Sequence, residues 1–170
     1  MSSSSSHKAG SDFEILQKEI KGIKIAMLTT SDQDGALRSR PMATQDTEFD
    51  GTLWFFTREE SAKVDSIEAH QKVNLAYADP SGNRYVSIAG AASIVRDRAK
   101  IKELWTPAMK AWFPDGVDDP RIALIRVDAE GAQYWDFASK TLVQLAAFVK
   151  SVVTGHSLTN EQDKRKLNFN

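Results

Sequence analysis

The chain has no cysteine. That absence excludes disulfides, thiolate metal ligands and cysteine nucleophiles, and it accords with a reducing, cytoplasmic setting. Histidine is scarce: His7, His70 and His156 are scattered, none with a carboxylate or second histidine at ligand spacing, so no metal site is expected. No apolar run approaches the roughly 20 residues of a membrane span, and the serine-rich start from Met1 to Gly10 lacks the apolar segment of a secretory signal. The formal net charge of −1 leaves no basic excess to draw nucleic acid or an anionic membrane by charge alone. The Gly-x-Gly-x-x-Gly fingerprint, the phosphate loop of nucleotide triphosphatases and the Gly-x-Ser-x-Gly elbow are all missing. Asp115, Asp118 and Asp119 crowd one stretch, but the calcium-loop pattern fails and the stretch reads as a solvated loop. No internal repeat is visible.

What is present is an ordinary globular composition: 170 residues, 41% hydrophobic and 26% charged, enough for one domain with its own core. Residues 1–11 read as a disordered tail, residues 12–155 as the domain, and residues 156–170 as a loose polar tail. Phe13, Leu16, Ile20 and Ile23 have helical spacing, with Asp12 placed to cap the start and Gly22 to end the helix. Ile25–Thr30, Leu37–Gln45 and Thr52–Thr57 read as strands joined by hairpin turns at Asp34-Gly35 and Asp50-Gly51. Ser61 begins a short helix reaching about His70, and strands follow at Val73–Ala78 and Tyr85–Val95. The second of these is rich in small residues, which predicts close approach of another body: a helix, a cofactor or a second subunit. Asp97 caps a helix that Thr106-Pro107 can restart. Ile122–Asp128 and Gln133–Phe137 read as two further strands joined through Glu130-Gly131, and Leu142, Leu145, Ala146, Val149 and Val153 mark a C-terminal helix ending at Gly155. Short hairpins without strand–helix alternation argue for a mainly β (α+β) protein, a small antiparallel barrel with flanking helices.

The stretch from Arg38 to Lys63 carries the chemistry. Arg38 and Arg40 share one face of a strand, either as surface cations or as ligands for an anion. Pro41 removes a ladder donor, which places this strand at an edge or a break and frees nearby backbone groups for a ligand. Lys63 at the start of a helix opposes the helix dipole unless an anion binds there. Ser61 is either a plain cap or a cap that shares its neighbouring N–H groups with a ligand oxygen. Trp54, Phe55 and Phe56 are core residues or the flat wall of a site, and Trp105 and Trp112 form a hydrophobic seam, a dimer contact or a lid. An anion site beside a flat apolar wall describes a flavin mononucleotide (FMN) site.

Ser39-Arg40-Pro41-Met42, Leu53-Trp54-Phe55-Phe56-Thr57, Ser61-Ala62-Lys63-Val64 and Asn83-Arg84-Tyr85-Val86-Ser87-Ile88-Ala89-Gly90, followed by Glu103-Leu104-Trp105, Ala111-Trp112-Phe113-Pro114-Asp115-Gly116 and Tyr134-Trp135-Asp136, carry a wider likeness. Over roughly residues 13–155 the chain resembles the general stress proteins of the pyridoxamine 5′-phosphate oxidase-like flavin-binding split barrels. The resemblance implies a six-stranded antiparallel split β-barrel of Greek-key order that forms a homodimer, with FMN in clefts at the subunit interface. It implies that Ser39, Arg40, Pro41 and Met42 run along the flavin, that Phe56 and Thr57 contact chain and ring, that Ser61, Ala62 and Lys63 hold the phosphate, and that Trp112, from the same or the other subunit, covers part of the cleft. The C-terminal segment Lys164-Arg165-Lys166-Leu167-Asn168-Phe169-Asn170 does not match the arginine-rich substrate segment of the true oxidases, so oxidation of pyridoxamine phosphate itself is not implied. An FMN-dependent oxidoreductase with a small-molecule electron donor or acceptor is one expectation. A flavin carrier or sensor without turnover is a second, and a barrel binding another anionic aromatic group such as haem or a deazaflavin is a third. No catalytic acid, base or nucleophile is identified in the sequence.

Overall fold

The computed structural model of the chain describes residues 4–136 and 164–168. In order these form α1 (Ser4–Ile20), β1 (Ile25–Ser31), β2 (Leu37–Ala43), β3 (Thr52–Arg58), α2 (Ala62–Ala69), β4 (Lys72–Asp79), β5 (Arg84–Val95), α3 (Arg98–Leu104), a short 3-10 helix (Pro107–Ala111), β6 (Ile122–Asp136) and β7 (Lys164–Asn168). The strands pair antiparallel in the order β2-β1-β4-β5-β6-β3, with β7 paired to β6. β4, β5 and β6 follow one another as neighbours, and β3 returns beside β6, which is the Greek-key order. The path curls into a half-barrel, so its two ends, β2 and β3, approach each other without pairing.

Alternation explains the core. Ala26, Leu28 and Thr30 of β1, Val73, Leu75 and Tyr77 of β4, and Val86 and Ile88 of β5 all point inward. α1 lays Leu16 and Ile20 on this core, and Gly22, at φ 82°, ends the helix as the sequence predicts. Arg84 clamps that end: its guanidinium donates to the carbonyls of Lys18 and Glu19 at 3.2 Å each and pairs with Asp79 at 2.7 Å. A cation at the carbonyl end of a helix also complements the helix dipole. A second, smaller cluster lies between β3, β6 and α3, built from Phe56, Ile101, Leu104, Phe113, Ile122 and Leu124.

Several expectations are corrected. Asp50-Gly51 does not close a hairpin between β2 and β3. Asp50 does cap the Thr52 N–H at 3.0 Å, but β3 pairs with β6 in the register Thr52↔Asp128 to Arg58↔Ile122. The Gly51 carbonyl accepts from the Ala129 N–H at 2.9 Å, and the Phe13 ring lies on the open face of this glycine, so the turn docks onto β6 and α1. Glu130-Gly131 is no turn. Ala89 faces Gly131 while Gly90 faces Ala129, which leaves Glu130 as the extra residue of a bulge in one long strand. The close body anticipated beside the small residues of β5 is, at Gly90, the β6 backbone: a Cβ there would strike the Asp128 carbonyl oxygen. α1 begins at Ser4, upstream of Asp12 and inside the segment expected to be a loose tail. Serine, histidine and lysine cost little in a helix once the buried Leu16 and Ile20 have anchored it. Within the stretch expected to be a polar tail, Lys164–Asn168 forms β7, whose Leu167 is buried in the main core. The anticipated helix from Leu142 to Val153 lies outside the described residues.

Candidate functional site

A cavity of about 330 Å³ opens where the two ends of the sheet path meet. Ile25 of β1 and Pro41, Met42 and Ala43 of β2, with Gln45 just beyond, form one side, and Phe56, Thr57 and Arg58 of β3 form the other. Ser61 and Lys63 stand at the α2 end, and Met109, Trp112 and Phe113 come from the segment after α3. β2 is an edge strand, as Pro41 predicts. The cleft lining includes cations but no carboxylate.

The α2 end is the most informative. Ser61 occupies the N-cap position with extended backbone, yet its side chain makes no capping bond. Its hydroxyl instead accepts from Lys63 Nζ at 2.7 Å. The Val64 N–H donates to the Ser61 carbonyl at 2.7 Å, and the N–H groups of Ala62 and Lys63, at the first two positions of the helix, have no intrahelical acceptor. Lys63 is half-buried and forms no ion pair among the described residues. Burial, and then the nearby Arg40 charge, hold its ammonium below the usual lysine range. Both effects favour the neutral amine, and a negative group brought beside Lys63 would favour the charged one. α2 is held in place by Ser66, whose hydroxyl donates to Asp32 at 2.8 Å on the β1–β2 hairpin. The Asp32 carboxylate is lowered chiefly by its bond from Arg38, then by Ser66.

Of the residues named from sequence, Pro41, Met42, Phe56, Thr57, Ser61, Lys63 and Trp112 line the cleft, and Ser39, Arg40 and Ala62 do not. Ser39 shares a hydroxyl–hydroxyl bond with Thr29 at 2.7 Å. Arg40 donates to the buried Thr30 hydroxyl at 2.8 Å and acts on the cleft through Lys63. Ala62 is the exposed first residue of α2. Among the β3 aromatics, Phe55 is core, Phe56 reaches the cleft, and Trp54 lies under the Lys100 ammonium, 5.2 Å from its ring. Trp105 and Trp112 share no helix face, because α3 stops at Leu104 and the chain restarts as a 3-10 helix at Pro107. Trp105 packs edge-on against Phe56, centroids 5.9 Å apart. Trp112 is 64% exposed and lines the cleft of its own chain.

Ile25, Ala43, Gln45, Arg58, Met109 and Phe113 line the cleft without having been named as ligands from sequence. Arg58 directly follows Thr57 and Phe113 follows Trp112, so adjacency was a usable signal for both. No local signal marks Met109. Asp115 and Asp119 are both engaged by Arg121, and Asp118 faces Lys102 at 3.2 Å, so these carboxylates are spent on cations. Among the described residues no group of three or more histidine or carboxylate side chains could hold a metal, and no helix is long and apolar enough to cross a membrane.

This geometry can be set beside known proteins. Residues 11–159 match the family described as pyridoxamine 5′-phosphate oxidase like. Protein bli-3 of Neurospora crassa is 34% identical over 146 residues, covering 80% of this chain and 70% of that protein. General stress protein 26 of Bacillus subtilis is 30% identical over 98 residues, covering 55% and 69% of the two chains. Among solved structures, the general stress FMN/FAD binding protein of Xanthomonas citri superposes with a TM-score of 0.64 at 30% identity, covering 75% of this chain and 89% of that one. With its Greek-key split barrel and a family match over most of its length, the chain belongs to the pyridoxamine 5′-phosphate oxidase-like family.

Proposed function

We propose that this cleft binds FMN and that the protein is a flavin-dependent oxidoreductase acting on a small-molecule electron donor or acceptor. The observation that carries the reading is Lys63, a half-buried, carboxylate-free cation at the opening turn of α2, facing a cavity walled by Phe56, Trp112 and Phe113. Ser61, Lys63 and the first N–H groups of α2 would hold a phosphate ester. Phe56, Met42 and Trp112 would flank a flat ring, and the exposed backbone of β2 near Pro41 would meet its polar edge. A bound flavin supplies one- or two-electron redox chemistry, while the protein binds it, orients it and shields it from water. The flavin-binding relative from Xanthomonas citri supports this choice of ligand.

The same reading includes a homodimer with FMN at the subunit interface. The outward sheet face carries Ile25 at 46% exposure and Met27 at 39%, with Met27 facing Ala76 and Pro41 across the strands. Ile25 also lines the cleft, so this apolar face runs into its mouth. Sedimentation at micromolar concentration is expected to give twice the chain mass, and a monomer at all concentrations removes the interface from the proposal.

The deciding experiment is titration of purified protein with FMN, followed by reduced nicotinamide under air. Saturable binding with a shifted flavin spectrum and oxidation above the free-flavin rate support the proposal in full. Binding without turnover over several donors leaves a carrier or sensor. A haem or deazaflavin spectrum on the purified protein, or no FMN uptake, defeats the FMN assignment.

A further inference from the structure

Trp112 stands at the cleft on a segment with few anchors. No residue of the 3-10 helix Pro107–Ala111 is buried, and Trp112 itself is mostly exposed. Phe113 is buried, and it is held by Phe56 and Trp105, with centroids 6.0 and 6.4 Å away. Met109 is partly buried against the same cluster, and a further fastening is Arg58 at the end of β3. Its Nη2 donates to the Trp112 carbonyl at 3.1 Å, and its guanidinium carbon lies 5.5 Å from the centre of the Phe113 ring. Arg58 forms no ion pair among the described residues, since the neighbouring Asp119 is bound by Arg121. One side chain thus ties the strand that floors the cleft to the backbone of the tryptophan that walls it.

We infer that Arg58 is a positioning residue that sets the Trp112 wall against the flat ligand of the cleft. The inference rests on the flavin reading for the identity of that ligand. It assigns Arg58 no direct contact with the ligand phosphate, which lies at the Ser61–Lys63 end. A guanidinium suits the task because one planar fork can hold a carbonyl and stack on an aromatic face together. Lysine can keep the bond to the carbonyl but not the planar stacking, so Arg58→Lys should retain part of the effect and Arg58→Met none.

The test uses the full chain labelled with fluorotryptophan, its Trp112 resonance assigned through Trp112→Phe. Without any ligand, Arg58→Met is expected to move the Trp112 resonance while those of Trp54 and Trp135 stay in place, which also reports that the fold is intact. Arg58→Lys should give a smaller movement. With FMN, Arg58→Met is expected to weaken binding about three- to tenfold, the scale of one stacking contact, and to have no further effect in a Trp112→Ala background. An unmoved Trp112 resonance, or an equal loss of affinity with and without Trp112, overturns the inference. Failure of the wild-type chain to take up FMN defeats the flavin reading, while the ligand-free resonance still decides whether Arg58 holds the wall.

Discussion

Lys63 Nζ donates to Ser61 Oγ across 2.7 Å, so the N-cap hydroxyl of α2 is engaged by a lysine side chain instead of by the backbone N–H groups of the helix. Asp97, at the corresponding place on α3, shows the ordinary arrangement: its carboxylate accepts from the N–H groups of Ala99 at 2.8 Å and Lys100 at 3.3 Å. The two caps should therefore respond differently to alanine. Asp97→Ala is expected to cost about 1 kcal/mol of stability, and Ser61→Ala clearly less. Ser61→Ala should instead weaken FMN binding, since a hydrogen bond to a charged group contributes about 1.5–3 kcal/mol. Urea midpoints beside FMN titrations check both. An equal stability loss in the two variants would sink the contrast.

The depressed Lys63 ammonium gives a pH dependence. In the ligand-free protein, burial and Arg40 favour the neutral amine, whereas a bound phosphate favours the charged one. Binding is then linked to proton uptake, so FMN affinity should fall as pH rises through the lowered lysine range into the alkaline region. Lys63→Met should bind weakly and lose that dependence. Titrations across neutral to alkaline pH measure it, and a flat wild-type profile removes Lys63 from the phosphate site.

The Asp119 carboxylate is held down to about 2, first by the side-chain bonds from Arg121 and then by the Arg121 N–H. Its folded value lies below the unfolded one, so the unfolded chain binds more protons between them and stability rises with pH in that window. The contribution is complete above about pH 4 and is lost as pH falls toward the folded value of about 2. Asp119→Asn should be less stable than wild type at pH 6, with the difference shrinking toward pH 2. A constant gap across that range would contradict the ion pair.

Gly90 faces the Asp128 carbonyl where the β5–β6 register shifts. Backbone cannot yield as a flexible side chain does, so Gly90→Ala should destabilise by about 1–3 kcal/mol. Gly35→Ala is a useful control of another kind: nothing lies within 4 Å of its Cβ position, but its φ of 82° makes alanine strained there too. The first loss should be accompanied by faster amide exchange along β5 and β6, the second by changes confined to the β1–β2 turn. Hydrogen exchange separates them.

Leu167 of β7 is 7% exposed and belongs to the main core. Leu167→Ala is expected to cost about 2–5 kcal/mol, as for other buried leucines. A variant with unchanged melting temperature would place β7 outside the cooperative unit.

Much of the cleft was legible in the sequence because its signals are local. The Asp34-Gly35 turn, the Ser61 helix start, the Asp97 cap and the edge proline Pro41 each act over a few residues, and each appears where its chemistry requires. Lys63 could be singled out because a cation at a helix start is misplaced without an anion. For Arg40, strand periodicity reports a face of the sheet and not the partner on it. That partner is Thr30, across the β1–β2 pair.

By itself, then, the sequence determined β1 to β5, the starts of α2 and α3, the hydrophobic faces that must be buried and the charged turn that opens α2. Local backbone preference and side-chain period suffice for those. Only the tertiary structure decided that β3 lies beside β6, that Glu130 is a bulge, that Lys164–Asn168 adds a strand, and that Arg58 and Phe113 meet Trp112 at the cleft. Those outcomes depend on which distant faces shed most water against each other, a comparison between segments that no single segment encodes.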